Sequence, residues 1–122
     1  MAQIENMLQI FAKNLGFDSL EFNDKGVIEL DIDSIGQLYL EKTTEGILAY
    51  LAREIPYAQS SHFIRALELV HPREHLPINV SAVLHGPNQL LFVTHIKENQ
   101  CDIPTLEQAI ATLRKLHDSI QK

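Results

Sequence analysis

Glycines at a ten-residue spacing divide the first half of the sequence and limit what it can fold into. They stand at positions 16, 26, 36 and 46. Before the first glycine, apolar residues recur every three or four positions, which is the period of a helix. After the second, Ile28, Leu30 and Ile32 alternate with acidic residues, which is the period of a half-buried strand. This change of period predicts one helix followed by short strands that are joined by turns.

The first helix is predicted from residue 4 to residue 15. Its apolar residues follow the i, i+3, i+4, i+7 spacing of a single helical stripe. They are Ile4, Met7, Leu8, Phe11 and Leu15. Gly16 follows at once and is a favourable end for a helix.

Three strands follow, at residues 28–32, 37–42 and 47–53. The third is apolar at successive positions, so both of its faces carry apolar side chains. Such a strand is either central and covered on both sides, or it presents one apolar face to a partner.

The second half repeats the alternation of helix and strands. Ser60 or Ser61 is a candidate N-cap for a helix that runs to about Val70. A hairpin is predicted over 79–85 and 89–96, and Asp102 can cap a last helix with Pro104 in its first turn. The order α-β-β-β-α-β-β-α indicates an α+β fold over residues 1–122, a single domain with a mainly antiparallel twisted sheet flanked by helices.

The net charge indicates which classes of molecule this protein can bind. Sixteen acidic and ten basic residues give a charge of −6 and an isoelectric point near 5.4. Phosphate backbones and anionic membrane surfaces are bound through clustered Lys and Arg, so nucleic acid and membrane insertion are not expected. Polypeptides with basic or apolar segments suit this charge best.

The expected location is the cytoplasm. Cys101 is the single cysteine, so no internal disulfide can form, which fits a reducing compartment. The N-terminus lacks the basic start and apolar run of a signal peptide. No apolar stretch approaches the roughly 18 residues that span a bilayer.

Histidines are the first candidates for chemistry, since there are six of them. His71 and His75 are the tightest pair, but Pro72 disfavours a helix there and no HExxH motif is present. His85 and His95 lie in paired strands and are candidate neighbours across the hairpin. Solvent-facing or hydrogen-bonded histidines are the expected interpretation, and no metal site is predicted.

Nucleophile and phosphate-binding motifs do not occur in the sequence. Asp31 and Asp33 stand at i, i+2 on a strand and are expected to face solvent rather than to converge as an acid–base pair. Cys101 follows polar residues without an evident base. We therefore predict no catalytic residues, no cofactor and no enzymatic activity.

The predicted helices carry more apolar residues than they need to cover the predicted sheet. The second helix carries Ile64 and Leu69 outside its main stripe, and the two end helices are long and amphipathic. Either all of these residues form one core, or some of them form an oligomer interface and grooves for a polypeptide segment.

Four segments carry a resemblance to a known family. They read IFAKNLGF, GQLYLEKTTEGILAYLAREI, NQLLFVTHI and TLEQAIATLRKLHDSI. In length, order and apolar placement the chain resembles the class I chaperones of bacterial type III secretion, the CesT/SycE-like family. It is most similar to the SycN type, which serves the secretion gatekeeper.

The resemblance implies a dimer that holds the N-terminal segment of a secreted protein in extended form. A heterodimer with a second small chaperone is also possible in this family. The implied dimer interface lies on the second helix and the strand after it, at Phe63, Ala66, Leu67, Val70, Val80 and Ala82. The expected substrate-binding residues lie on the end helices and the third strand, at Met7, Phe11, Leu15, Leu48, Tyr50, Leu113 and Leu116. The alternative is a small dimeric protein-binding or scaffold domain unrelated to secretion.

Overall fold

A computed structural model gives the fold, and it describes residues 2–17, 22–32, 35–55, 59–71 and 76–120. The predicted features at Asp33, Pro72 and His75 lie outside these ranges. Among the described residues no helix is long and apolar enough to cross a membrane.

The elements follow the predicted order. Helix α1 spans Ala2–Leu15, and helix α2 spans Ser60–Leu69 after the first three strands. Helix α3 spans Ile103–Ile120 and follows a single 3-10 turn. The strands are β1 at Val27–Ile32, β2 at Gly36–Lys42, β3 at Gly46–Glu54, β4 at Ser81–His85 and β5 at Gln89–Lys97.

The five strands form one antiparallel sheet in the order β1-β2-β3-β5-β4. The α2 connection therefore carries the chain from β3 to the far edge, and β5 returns to lie beside β3. Strands β1 and β4 are the edges of this sheet. The long pairing of β3 with β5, from Gly46 opposite Lys97 to Glu54 opposite Gln89, forms its centre.

Helices α1 and α2 both contact α3, so the described helices share one face of the sheet. We call this the helix face and the opposite one the open face. Every second residue of each strand points to the helix face, because side chains alternate along a strand. The buried ones are Ile28, Leu30, Leu38, Leu40, Ile47, Ala49, Leu51, Leu90, Phe92, Thr94 and Ile96. They form one core with the stripes of α1 and α3.

A buried histidine joins α3 to the sheet. His117 is 1% exposed, and its ring lies edge-on to Phe92 with 4.8 Å between centroids. Its Nε2 lies 2.7 Å from the carbonyl oxygen of Leu51, and since a carbonyl only accepts, Nε2 carries the proton. Beside it, Arg53 donates to the Asp118 carboxylate at 2.8 Å.

Gly46 shows how closely the central strands meet. A Cβ at this position would collide with the carbonyl oxygen of Ile96, so a residue with a side chain does not fit. The glycine that begins β3 is thus required by its partner strand β5.

Two local predictions were wrong. The N-cap of α2 is Gln59, one residue before the predicted serines, and its backbone N–H donates to His62 Nδ1 at 3.0 Å. His85 and His95 are not neighbours, because the tight turn places His85 opposite Gln89 and leaves His95 beyond the end of β4. The cap at Asp102 is confirmed, since its Oδ1 accepts from the Thr105 N–H at 2.8 Å.

Candidate functional site

Helix α2 leaves most of its apolar side chains outside the core. Ala66 is its buried residue, whereas Ile64 is 58% and Leu67 is 60% exposed. The helix contacts edge strand β4, where Leu84 is 52% exposed. Leu84 pairs with buried Leu90, so it lies on the helix face beside α2. We call Ile64, Leu67 and Leu84 the α2 surface.

The residues predicted for a dimer interface lie in or around this surface. Leu67 is exposed, and Ala66 is buried in the core of the chain. The remaining four are partly buried and pack against that core; they are Phe63, Val70, Val80 and Ala82. Of the six predicted interface residues, Leu67 is therefore the exposed one.

The predicted substrate-binding residues are divided between core and surface. Four of them are 0–7% exposed, because they form the stripes by which α1 and α3 pack on the sheet. These are Met7, Phe11, Leu113 and Leu116. Leu15 is 40% exposed, and Leu48 and Tyr50 are half-buried on the open face. Contact of a partner with the first four would require the core to open, apart from the edge of Leu116 described next.

A groove of about 260 Å³ lies between the end of α2 and helix α3. Leu69, Leu76 and Leu116 supply apolar walls, and Lys115 stands at its side. Among the predicted residues, Leu116 therefore reaches an open groove with part of its side chain. The lining is suited to an apolar side chain of a bound segment.

Three apolar side chains near the end of α1 are also exposed. Ile10 is 52%, Leu15 is 40% and Phe17 is 38% exposed. We call these three residues the α1 patch. It is separate in sequence from the α2 surface and ends in the helix-terminating bond from the Phe17 N–H to the Ala12 carbonyl.

The open face of the sheet carries an aromatic pair. Tyr39 and Tyr50 are directly opposite on β2 and β3, and their rings stack with 5.0 Å between centroids and 12° between planes. Val93 on β5 lies opposite Tyr50, and Glu29 on β1 lies opposite Tyr39. One row across the sheet thus runs from a carboxylate through two rings to an aliphatic side chain.

Burial shifts the pKa of His117 and of Cys101, two side chains of types that often take part in chemistry. The pKa of His117 is lowered to about 4, mainly by burial; the hydrogen bond to the Leu51 carbonyl opposes this shift and the nearby Arg53 charge contributes to it. Burial raises the pKa of the Cys101 thiol, with Glu98 and Asp102 adding to the rise. A thiol with a raised pKa is a poor nucleophile at neutral pH. Within the described ranges no three metal-ligating side chains converge.

Five exposed apolar residues were absent from the predicted sites: Ile64, Val83, Leu84, Ile10 and Phe17. The sequence did indicate that Ile64 is exposed, since this residue lies off the main apolar stripe of its helix. Leu84 follows Val83 in β4, and both are exposed, so an edge strand that is apolar on both faces was the second available signal. Ile10 and Phe17 had none that separates them from ordinary surface residues.

Comparisons with known proteins identify relatives of this chain. The sequence profile of the family described as type III secretory system chaperone SycN matches residues 3–121. No curated protein matches the sequence. The similar solved structures share the fold at identities below 25%.

The Yersinia pestis type III secretion chaperone SycH, solved with a stable fragment of YscM2, has a TM-score of 0.65 and 21% identity over 96% of each chain. The ExsC–ExsE complex contains a chain with a TM-score of 0.76 and 17% identity, over 93% of this chain and 87% of that one. The heterodimeric ExoU–SpcU complex of the Pseudomonas aeruginosa type III secretion system contains a chain with a TM-score of 0.69 and 17% identity. The match covers 96% of this chain and 93% of that one.

Proposed function

The chain belongs to the SycN family of type III secretory system chaperones, and from this premise we propose that it works as a non-catalytic dimer. It pairs through the α2 surface and binds the N-terminal segment of one secreted protein, the secretion gatekeeper. The segment is held extended, which keeps it soluble and ready for export from the cytoplasm. The second subunit is either a copy of this chain or another small chaperone.

The observation that carries this proposal is the α2 surface. Three large aliphatic side chains, each more than half exposed, lie on α2 and on strand β4, which α2 contacts. Clustered apolar side chains of this size on a small domain mark a protein interface, because leaving them in water costs free energy. Their half-buried neighbours Phe63, Val70, Val80 and Ala82 supply the border of a contact that excludes water.

The proposed substrate surface combines the α1 patch, the groove at Leu116 and the open face at Leu48 and Tyr50. These apolar areas lie on several sides of the domain, which suits an extended segment better than a compact ligand. The edges β1 and β4 offer unpaired backbone groups to which such a segment could add a strand. Ordering the segment costs several kcal/mol, so apolar contacts at more than one place are needed to offset it.

Light scattering tests the dimer with two matched leucine substitutions. Leu67→Asp places a charge in the centre of the α2 surface and should give a particle of 13.8 kDa rather than twice that mass. Leu15→Asp makes the same chemical change in the α1 patch and should leave the dimer intact. A Leu67→Asp protein that keeps the doubled mass would contradict the α2 interface.

Co-expression tests the substrate and the pairing together. The chain is produced with the N-terminal region of a gatekeeper, with and without a second small chaperone. Two chaperone subunits with one substrate segment are expected, and Leu15→Asp should lower the yield of the complex. A lone monomer that captures nothing would contradict the secretion function and favour the small scaffold domain.

A further inference from the structure

The open face of the sheet is acidic around its aromatic pair. Its described strands carry four carboxylates, and these belong to Glu29, Asp31, Glu41 and Glu54. One lysine shares the face, at the far end of β5, where Lys97 lies opposite Gly46. Lys42, next to Glu41, belongs to the helix face and pairs with Glu5 at 2.9 Å. The open face therefore has a local negative charge with aromatic and aliphatic side chains at its centre.

The register places two of these carboxylates next to Tyr39. Glu29 lies directly opposite on β1, and Glu41 follows two positions along β2 on the same face. Since Tyr39 and Tyr50 stack face to face, the other face of the Tyr39 ring is turned toward β1 and Glu29. The Tyr39 hydroxyl donates to Gln37 Oε1 at 3.3 Å.

The same carboxylates act on the second ring. Burial raises the pKa of the Tyr50 hydroxyl, and Glu41, Tyr39 and Glu29 add to the rise. Charges that disfavour a tyrosinate favour a cation at the same place, because both effects follow from the same negative potential. An aromatic ring face adds its own attraction for a cation.

We propose that the open face binds an arginine side chain of a polypeptide segment, with its guanidinium against the outer face of Tyr39 between Glu29 and Glu41. Apolar residues beside that arginine contact Leu48 and Val93, which flank the ring pair on β3 and β5. Arginine fits better than lysine, because its planar and weakly hydrated group stacks on a ring while it donates to two carboxylates. The inference deepens the proposed function by naming one chemical feature of the bound segment.

Two short peptides test the site by NMR titration of the full-length protein. One alternates leucine and arginine over five residues, and the other has glutamine in place of each arginine. The arginine peptide should bind about fivefold more tightly, as expected for one exposed cation–π contact. Its shift changes should centre on Glu29, Tyr39 and Tyr50. Equal affinities, or shifts confined to the helix face, would overturn the proposal.

Matched variants separate the ring and the charge from folding. Tyr39→Leu should reduce the fivefold preference to less than about twofold, and Glu41→Gln should reduce it by a smaller factor. Tyr39→Phe keeps the ring and should keep the preference, as should Glu107→Gln, which removes an exposed charge on α3. A Tyr39→Leu protein that is folded by circular dichroism and retains the full preference would overturn the proposal.

The gatekeeper segment distinguishes this inference from the function on which it rests. If the segment binds the wild-type chain and Tyr39→Leu alike, the arginine site is wrong and the chaperone function stands. If the arginine peptide binds with its preference while no secreted segment binds, the site stands and the proposed function is wrong.

Discussion

Helices α2 and α3 are both amphipathic, yet they use their apolar faces in opposite ways. Helix α3 buries seven residues over the centre of the sheet, where it contacts β3 and β5. Helix α2 buries one, and its main contacts are with edge strand β4 and with α3. The comparison shows that an apolar stripe becomes core only where another element covers it. The stripe of α2 is left partly exposed.

Removing a leucine from each helix tests this comparison most directly. Leu113 is 0% exposed, so Leu113→Ala should lower the free energy of unfolding by about 3 kcal/mol through lost contacts and a cavity. Leu67→Ala should change the stability of the monomer by less than about 0.5 kcal/mol. Urea unfolding at two protein concentrations measures both effects. Equal losses in dilute protein would show that α2 belongs to the core.

The second largest expected effect is a loss of stability in acid, through His117 on α3. His117 has a pKa near 4 in the folded chain and 6.5 as its ordinary value, so the unfolded state binds the extra proton between these values. The neutral, buried ring therefore makes its full contribution to the free energy of unfolding above pH 6.5. As the pH falls toward 4, the free energy of unfolding declines, and at pH 5 the loss is about 2 kcal/mol.

Glutamine at position 117 is the control for that loss. Its amide can donate to the Leu51 carbonyl but does not titrate, so His117→Gln should remove most of the stability change between pH 7 and pH 5. Chemical unfolding at each pH measures it. The same slope in wild type and His117→Gln would show that another group controls acid stability.

The smallest expected difference is between the stability losses caused by substitutions at the N-caps of α3 and α2. Asp102 accepts from the Thr105 N–H at the start of α3, and Asp102→Ala should cost about 1 kcal/mol. Gln59→Ala at the start of α2 should cost less than about 0.5 kcal/mol, since glutamine is not a favoured N-cap. Thermal unfolding compares the two variants. A larger loss for Gln59→Ala would mean that α2 contributes more to folding than its burial indicates.

The sequence by itself determined the type and order of the elements. Alternation at Ile28, Leu30 and Ile32 and the helical stripe of α1 are local patterns, and local backbone geometry translates them into strands and helices. The cap at Asp102 was equally local. For the same reason the predicted boundaries of most elements lie within two residues of the observed ones.

Only the tertiary structure decided what covers each apolar stripe. Phe11 and Leu67 both lie on helical stripes, but one is 3% and the other 60% exposed, because Phe11 joins the core and α2 lies beside edge strand β4. The register in which β4 pairs with β5 also decided that His85 and His95 are not neighbours. The burial of His117 depends on a carbonyl 66 residues away, at Leu51. Local period fixes which residues share a face, while contacts between distant segments determine whether that face meets core, water or a partner.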